Sequence, residues 1–273
     1  MKRYRYKLRN NRGVALIIVL LVTALLIMLI FEFAFGTRVS LRAAANFRDS
    51  QRAYFIAHSG FGVFARYPQL RDYIRQGELG EVPYVTEGDK VLQMEWEDES
   101  GKINVTKIIN GNAAYNRLTI LFDVLQIDQN KLVQMTSWMI SQRQDLHLLT
   151  ELHRFLSDDE YRKVAPFLTV NTSGNTNINI NTASPQVLQS LGLTATDADR
   201  IVESAKQDPY DPIKKPINTT TAPGMTPTIA GQLVTSSNVF KVTSVATVGG
   251  YTKQIDAIMT VGGSGVVNYW RAL

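Results

Sequence analysis

The most prominent pattern along the chain is an uninterrupted apolar run from Val14 to Phe31, in which Thr23 is the one polar residue. A short polar segment rich in lysine and arginine precedes it. Eighteen residues of α-helix rise about 27 Å, close to the roughly 30 Å hydrocarbon core of a bilayer. The pattern therefore predicts a membrane-spanning helix half over residues 14–35.

The helical pattern continues beyond this apolar run. Apolar residues recur at three- and four-residue steps as far as Phe64, with arginines and other polar residues between them, and the first proline of the chain is Pro68. The spacing predicts one helix from about Val14 to Ala65, on the order of 75–80 Å long. Its second half, residues 36–67, is predicted to be amphipathic.

Two parts of the chain have the pattern of β-strands. Leu92–Glu97 and Ile103–Thr106 alternate in polarity around the turn residues Asp98–Lys102, which predicts a β-hairpin within a sheet part over 68–110. After residue 236, strands are predicted from their β-branched and aromatic content, with Gly249-Gly250 as a turn signal; they are Val239–Thr247, Tyr251–Val261 and Val266–Trp270.

The residues between these strands, 111–236, have helical patterns instead. Ser157 followed by Glu160 is a capping-box signature, and Pro185 after Ser184 is typical of a helix start. Helical spacing covers Ala113–Leu125, Lys131–Gln142, Leu146–Phe155, Gln186–Leu191 and Thr196–Lys206, and a proline-rich loop follows the last of them. The sequence thus predicts an α+β fold: a long N-terminal helix and an antiparallel sheet, interrupted by a large α-helical insertion of roughly 120 residues, with the sheet resuming over 237–273.

Composition and charge change this picture in two ways. The chain of 273 residues has no cysteine, which excludes disulfides, thiolate metal sites and cysteine nucleophiles. The formal net charge is +5, but residues 1–13 hold six of the 29 basic side chains and no acid. The rest of the chain has 23 basic and 24 acidic side chains, a net charge of −1, and therefore no overall attraction for phosphate. The six cations predict a cytoplasmic N-terminus.

The segment R-G-V-A-L-I-I-V-L-L resembles the leader of type IV pilins and type II secretion pseudopilins. The resemblance implies that residues 1–13 are a basic leader, that a prepilin peptidase cuts between Gly13 and Val14, and that the new N-terminus is methylated. Leu16, Ile17 and Ile18 would then contact other helices in a filament. Most pilins have glutamate at the fifth mature position, which is Ile18 in this chain; the K-type minor pseudopilin of type II secretion lacks that glutamate and lies at the filament tip.

Further stretches resemble the K-type minor pseudopilin in matching order along the chain. They are W-E-D-E-S-G-K-I-N-V, L-L-T-E-L-H-R-F-L, A-P-F-L-T-V and N-I-N-I-N-T-A-S-P-Q-V-L. The resemblance implies a pilin-like fold and a non-enzymatic subunit that nucleates and caps the pseudopilus for protein export. It also implies other minor pseudopilins, the prepilin peptidase and inner-membrane lipid as partners, and a single-pass inner-membrane protein with a periplasmic head.

Two alternative functions remain open from the sequence. One is a minor tip pilin of a type IV pilus. The other is a membrane-tethered DNA receptor, because residues 179–206 also resemble a helix-hairpin-helix unit. Gly192-Leu193-Thr194 lacks the second glycine of DNA-binding hairpins, and the local charge is −1, counting Asp197, Asp199 and Glu203 against Arg200 and Lys206. No nucleic-acid partner is therefore expected.

Catalytic and metal-binding patterns are weak. His147 and His153 are six residues apart, so they do not share a helix face as i, i+4 ligands do. The resembled family binds calcium in its head, and Asp208 and Asp211 are the candidate oxygen ligands among prolines. No other cofactor is expected.

Overall fold

The structure is a computed structural model that describes residues 12–66, 80–88, 90–171, 176–260 and 266–272. The chain divides into two compact units, Met1–Arg52 and Ala53–Leu273, of which we call the second the head unit. Leader residues 1–11 and the start of the predicted sheet part, residues 67–79, lie outside the described residues.

The N-terminal helix α1 runs from Arg12 to Arg66 and contains 55 residues. This confirms the long helix predicted from the apolar spacing. Its last turns belong to the head unit, where Ala53, Ala57 and Phe61 are buried at four-residue steps. Gly60 lies on the same side: a Cβ placed there would be 2.7 Å from Ser244 Oγ and 2.8 Å from Met94 Sδ. The helix therefore packs closely on the sheet that carries Met94 and Ser244.

That sheet has five antiparallel strands. In their order across the sheet they are β1 Gly80–Glu87, β2 Lys90–Asp98, β7 Val239–Val248, β8 Tyr251–Thr260 and β9 Val266–Ala272. The prediction of strands after residue 236 is confirmed, and Gly249 and Gly250, with φ of 56° and 83°, make the tight turn between β7 and β8.

The hairpin predicted between Leu92–Glu97 and Ile103–Thr106 is wrong. Strand β2 pairs with β1 on one side and β7 on the other, whereas β3 (Ile103–Asn104) pairs in parallel with β4 (Leu168–Thr169). The backbone N–H of Glu99 donates to Val239 O, which extends the ladder with β7 beyond the end of β2. Glu99 is thus hydrogen-bonded to the residue that begins β7, and the chain leaves the sheet after this turn.

Short helices and two small parallel strand pairs follow between β2 and β7. The capping box predicted at Ser157 is present, with the side chains of Ser157 and Glu160 each accepting a backbone N–H of the other residue. The elements are α2 Ala113–Val124, α3 Asn130–Gln142, α4 Asp158–Val164, α5 Pro185–Gln189, α6 Ala195–Gln207, α7 Pro227–Ala230, and a second parallel pair, β5 Ile178–Asn179 with β6 Leu233–Val234.

The segment predicted as a helix over Leu146–Phe155 is instead a short 3₁₀ helix, Leu149–Arg154. The Glu151 carboxylate accepts the backbone N–H groups of His147 and Leu148, at 3.1 and 2.9 Å, and this fixes the start of the helix. Leu146 precedes that start, and its backbone N–H donates to Thr106 O at 2.8 Å.

The head unit has two hydrophobic clusters. The smaller joins the end of α1 to one face of the sheet, through Ala57, Phe61, Trp96 and Phe240 among others. The larger is built entirely from residues between Ile103 and Leu233, with Leu121 and Phe122 of α2 among its most buried members. The molecule therefore has the α+β architecture predicted from the sequence. The domain boundaries at residues 110/111 and 236/237 stay predictions.

Candidate functional site

The predicted filament-contact residues lie on an exposed apolar surface of α1. In the isolated chain Leu16 and Ile17 are each 64% exposed and Ile18 is 56% exposed. Within the described residues, α1 is the one helix long and apolar enough to cross a membrane. An apolar surface of this extent is unfavourable in water, so it requires lipid or other apolar helices around it.

The predicted processing residues, Gly13 and Val14, both lie within α1. A Cβ at Gly13 would meet no atom of the described residues within 4 Å, and Gly13 is not among the residues with positive φ. Glycine in a helix interior costs up to about 1 kcal/mol relative to alanine. Neither packing nor backbone conformation in this chain therefore explains a glycine at position 13.

The amphipathic half of α1 combines exposed apolar side chains with a net positive charge. Leu41 and Phe47 are exposed, and Arg48 forms a 2.9 Å ion pair with Asp49. Arg38 and Arg42 are also exposed and lie one turn apart on one side of the helix. This half can therefore contact both apolar and acidic surfaces.

The turn after β2, which sequence reasoning treated as a simple loop, connects the sheet to the helical part of the head unit. One carboxylate oxygen of Asp98 accepts hydrogen bonds from Asn179 Nδ2 and Thr182 Oγ1, both at 2.7 Å. Its other oxygen accepts the Ser100 N–H at 2.7 Å. A Cβ at Gly101 would be only 2.8 Å from the backbone of Thr182, so glycine is needed for this close approach.

Lys102 neutralises the acids of the same turn. Its ammonium lies 2.8 Å from the Glu99 carboxylate and 2.9 Å from that of Glu97. Burial by itself would lower the pKa of Lys102, but these two carboxylates outweigh it and the pKa is raised above its ordinary value. The run E-D-E-S-G-K shows the clustered charges of this turn in the sequence. Local spacing does not show that Asn179 and Thr182 are the hydrogen-bond partners of Asp98.

A cleft of about 380 Å³ opens beside this turn. The apolar part of its wall is formed by Trp96, Val187 and Phe240, and its cationic groups are those of Lys102 and Lys206. Lys102 is already paired with the Glu97 and Glu99 carboxylates, so it adds little free charge to the cleft.

The two candidate calcium ligands lie in the loop after α6, where the Asp211 carboxylate already accepts hydrogen bonds from this chain and the Asp208 carboxylate lies near a lysine. The Asp211 carboxylate accepts the backbone N–H groups of Ile213 and Lys214 at 2.8 and 2.9 Å. These bonds, that of Lys214 foremost, lower the pKa of Asp211 below its ordinary value. The Asp208 carboxylate lies 3.8 Å from the Lys215 ammonium. Among the described residues, Asp208 and Asp211 belong to no group of three or more side chains able to hold a metal, so they do not fit a calcium site, which needs six to eight converging oxygens.

The residues of the suspected helix-hairpin-helix unit form α5 and α6, joined through Gly192 with a φ of 99°. Thr194 caps α6 by accepting the Asp197 N–H at 3.2 Å, and its hydroxyl donates to the Asp197 carboxylate at 2.7 Å. The N-terminus of α6 is thus paired with an acid of its own chain.

No constellation typical of catalysis is seen among the described residues. They contain no group of three or more histidine, aspartate, glutamate or cysteine side chains able to hold a metal. His153 lies 3.2 Å from Asp158, both on the surface, and stacks at 3.9 Å on Tyr161. This histidine therefore joins the 3₁₀ helix to α4.

The fold is similar to a solved pseudopilin structure. No protein-family model matches the sequence, and no curated protein matches it. One chain in the crystal structure of the GspK-GspI-GspJ complex of the type 2 secretion system of enterotoxigenic Escherichia coli matches with a TM-score of 0.62 and 14% sequence identity. The match covers 86% of this chain and 99% of that chain. The chain thus has an α+β fold that resembles a pseudopilin.

Proposed function

We propose that this chain is a minor pseudopilin that assembles with other minor pseudopilins at the tip of a type II secretion pseudopilus. The observation that carries the proposal is the fold similarity, which extends over nearly the whole length of a chain from a three-protein secretion complex. The order of the K-type sequence motifs along the chain supports it independently. The role is non-enzymatic.

The exposed apolar helix supports assembly by way of the membrane. In this proposal α1 first spans the inner membrane, surrounded by lipid, with the N-terminus cytoplasmic and the head unit periplasmic. Prepilin peptidase cuts between Gly13 and Val14, and the helix then exchanges lipid for the helices of neighbouring subunits. Leu16, Ile17 and Ile18 would form part of that contact. The described residues give no packing reason for glycine at position 13, which fits recognition of this glycine by a peptidase.

Ile18 supports the position at the tip. A carboxylate among apolar helices is costly unless a neighbour pairs with it, and Ile18 removes that requirement. In the proposal, residues 111–236 make the head bulkier than strands alone would, which hinders addition of another subunit above it. Such a subunit nucleates and caps the filament and does not repeat along it.

Co-purification from detergent-solubilised membranes tests the proposal. The full chain, tagged at its C-terminus, is expressed with the other minor pseudopilins of the same secretion system, with its major pseudopilin as the control. We expect a stable complex containing the minor subunits and little of the major one. Exclusive recovery with minor pilins of a retractable type IV pilus would instead assign the chain to a pilus tip.

A gel-shift assay with duplex DNA at physiological salt distinguishes the proposed pseudopilin from the remaining alternative, a membrane-tethered DNA receptor. Binding through phosphate contacts weakens steeply with salt. The proposal predicts no salt-sensitive binding at micromolar protein, and such binding would favour a DNA receptor.

A further inference from the structure

The loop that follows α6 is closed by its own backbone. Asp211 N–H donates to Lys215 O at 3.0 Å, and Lys215 N–H donates to Asp211 O at 3.1 Å. The Asp211 carboxylate accepts the two N–H groups at the tip, as described above. This reciprocal pairing places the Lys215 side chain against the end of α6.

The Lys215 ammonium is surrounded by oxygen acceptors. It donates to Ser204 O and Ser204 Oγ, both at 2.9 Å, and to Asp208 O. An ammonium has three N–H donors, so these three acceptors satisfy it completely. The Asp208 carboxylate lies 3.8 Å away, and the side chain of Lys215 is only 14% exposed.

The position of these oxygens explains why a cation lies there. Ser204 and Asp208 belong to the C-terminal end of α6, where the helix dipole is negative. Ser204 O also accepts the Asp208 N–H at 3.0 Å, and Asp208 O lies just beyond the last helical residue. The Lys215 ammonium also lies 4.3 Å from the centroid of the Tyr210 ring, whose face attracts cations. Burial raises the pKa of Tyr210, which keeps its hydroxyl neutral, and that hydroxyl donates to Thr221 O at 3.1 Å.

We infer that the Lys215 ammonium is the structural cation of the loop over residues 208–216, where it satisfies the Ser204 and Asp208 oxygens, and that this loop holds no calcium ion. A calcium ion could not bind the Ser204 and Asp208 carbonyl oxygens without displacing the ammonium, which donates to both. The order of this loop is therefore independent of calcium, although the resembled family binds calcium in its head. The inference does not depend on the proposed function, since it concerns only contacts within the head unit.

Hydrogen exchange of the full chain in detergent micelles tests the inference. The backbone amides of Asp211, Ile213 and Lys214 report on the order of the loop. Their exchange is measured in three conditions: with a chelator, with millimolar calcium, and with millimolar magnesium as the control ion. We expect the exchange rates of these wild-type loop amides to be the same in all three conditions. Slower exchange of the loop amides in calcium than in magnesium overturns the inference.

Substitution of the lysine provides the second part of the test. Lys215→Met keeps an unbranched side chain and removes the charge, and Lys214→Met is the matched control at an exposed lysine in the same loop. A hydrogen bond to a charged group contributes roughly 1.5–3 kcal/mol, so loop exchange in Lys215→Met should be about tenfold faster or more. Equal exchange in the two variants overturns the inference.

Ser204→Ala is a milder variant, for the case in which Lys215→Met does not fold. It removes one acceptor and leaves the two carbonyl acceptors in place. Its loop exchange should be faster than in wild type by a smaller factor, about two- to fivefold. Exchange unchanged from wild type counts against the role of Lys215.

Discussion

The Lys131 ammonium donates a 2.8 Å hydrogen bond to the Glu160 carboxylate, joining α3 to α4 across 29 residues of sequence. The same carboxylate accepts the Ser157 N–H and hydroxyl, each at 2.8 Å. Glu160 therefore serves two purposes, since it completes the capping box of α4 and holds α3 beside it. These bonds, with Lys131 foremost, lower the pKa of Glu160 to about 2.

The low pKa of Glu160 predicts a stability that falls in acid. A carboxyl group with a folded pKa below its unfolded value, about 4.3, stabilises the fold at neutral pH, and this contribution disappears as the pH falls toward 2. We expect Glu160→Gln to lower the free energy of unfolding at pH 7 by about 1 kcal/mol. Below pH 4 the difference in unfolding free energy between wild type and variant should become smaller. Thermal unfolding of the full chain in detergent at several pH values measures this. Glu203→Gln, on the exposed side of α6, is the control, and a wild-type-to-variant difference that does not vary with pH would contradict the assignment.

The close packing of α1 on the sheet predicts opposite effects for two neighbouring glycines. Gly60→Ala places a methyl group against the buried side chains of Met94 and Ser244 and should cost about 1–3 kcal/mol. Gly62→Ala meets open space on the same helix and should stabilise it by up to about 1 kcal/mol. For a head unit of this size, 1 kcal/mol corresponds to a Tm shift of roughly 2–4 °C. Equal Tm values for the two variants would show that the helix does not pack on the sheet as described.

The Asp98 carboxylate predicts a large loss of stability when it is removed. Asp98→Ala leaves Asn179, Thr182 and the Ser100 N–H without their acceptor, at an expected cost of about 2–4 kcal/mol. Glu95→Ala, at an exposed position on the same strand, should change the stability by less than about 0.5 kcal/mol. Tm values of the full chain measure both effects. An Asp98→Ala variant as stable as Glu95→Ala would mean that the turn does not connect the sheet to the helices.

Processing between Gly13 and Val14 predicts a defined mature mass. Intact mass spectrometry of protein from cells with prepilin peptidase should show the loss of residues 1–13 and a methylated Val14. Gly13→Val should leave the precursor uncut, and a Cβ there meets no other atom, so misfolding does not explain that result. Gly36→Ala, also in open space on α1, is the control and should be processed normally. A wild-type protein that retains Met1 refutes the processing proposal.

Local patterns were sufficient for much of this fold. The apolar spacing predicted α1, and the glycine pair at 249–250 predicted the turn between β7 and β8, because each depends on residues close together in sequence. Ser157 and Glu160 predicted their capping box for the same reason.

Contacts between distant residues could not be predicted in this way. The alternation on both sides of Asp98–Lys102 is compatible with a hairpin, and only the pairing of β2 with β7 excludes it. The Lys215 ammonium reaches Ser204 only because the loop folds back toward α6. A Lys-Lys pair in a proline-rich segment does not predict this fold of the loop. The resemblance therefore offered Asp208 and Asp211 as candidate ligands, and the sequence did not show that Lys215 lies between the loop and the helix.

The register of β2 with β7 has a consequence for the order of folding. Asp98 lies opposite Phe240 in the ladder, so 141 residues (99–239) connect two adjacent backbone positions. If these residues were unstructured when the ladder closed, loop closure would cost on the order of 4 kcal/mol in chain entropy. A segment that has already folded, with its two ends side by side, avoids that cost. Amides of α2 should therefore gain protection before those of β7 in pulse-labelled refolding, and the reverse order would indicate that the sheet nucleates the fold.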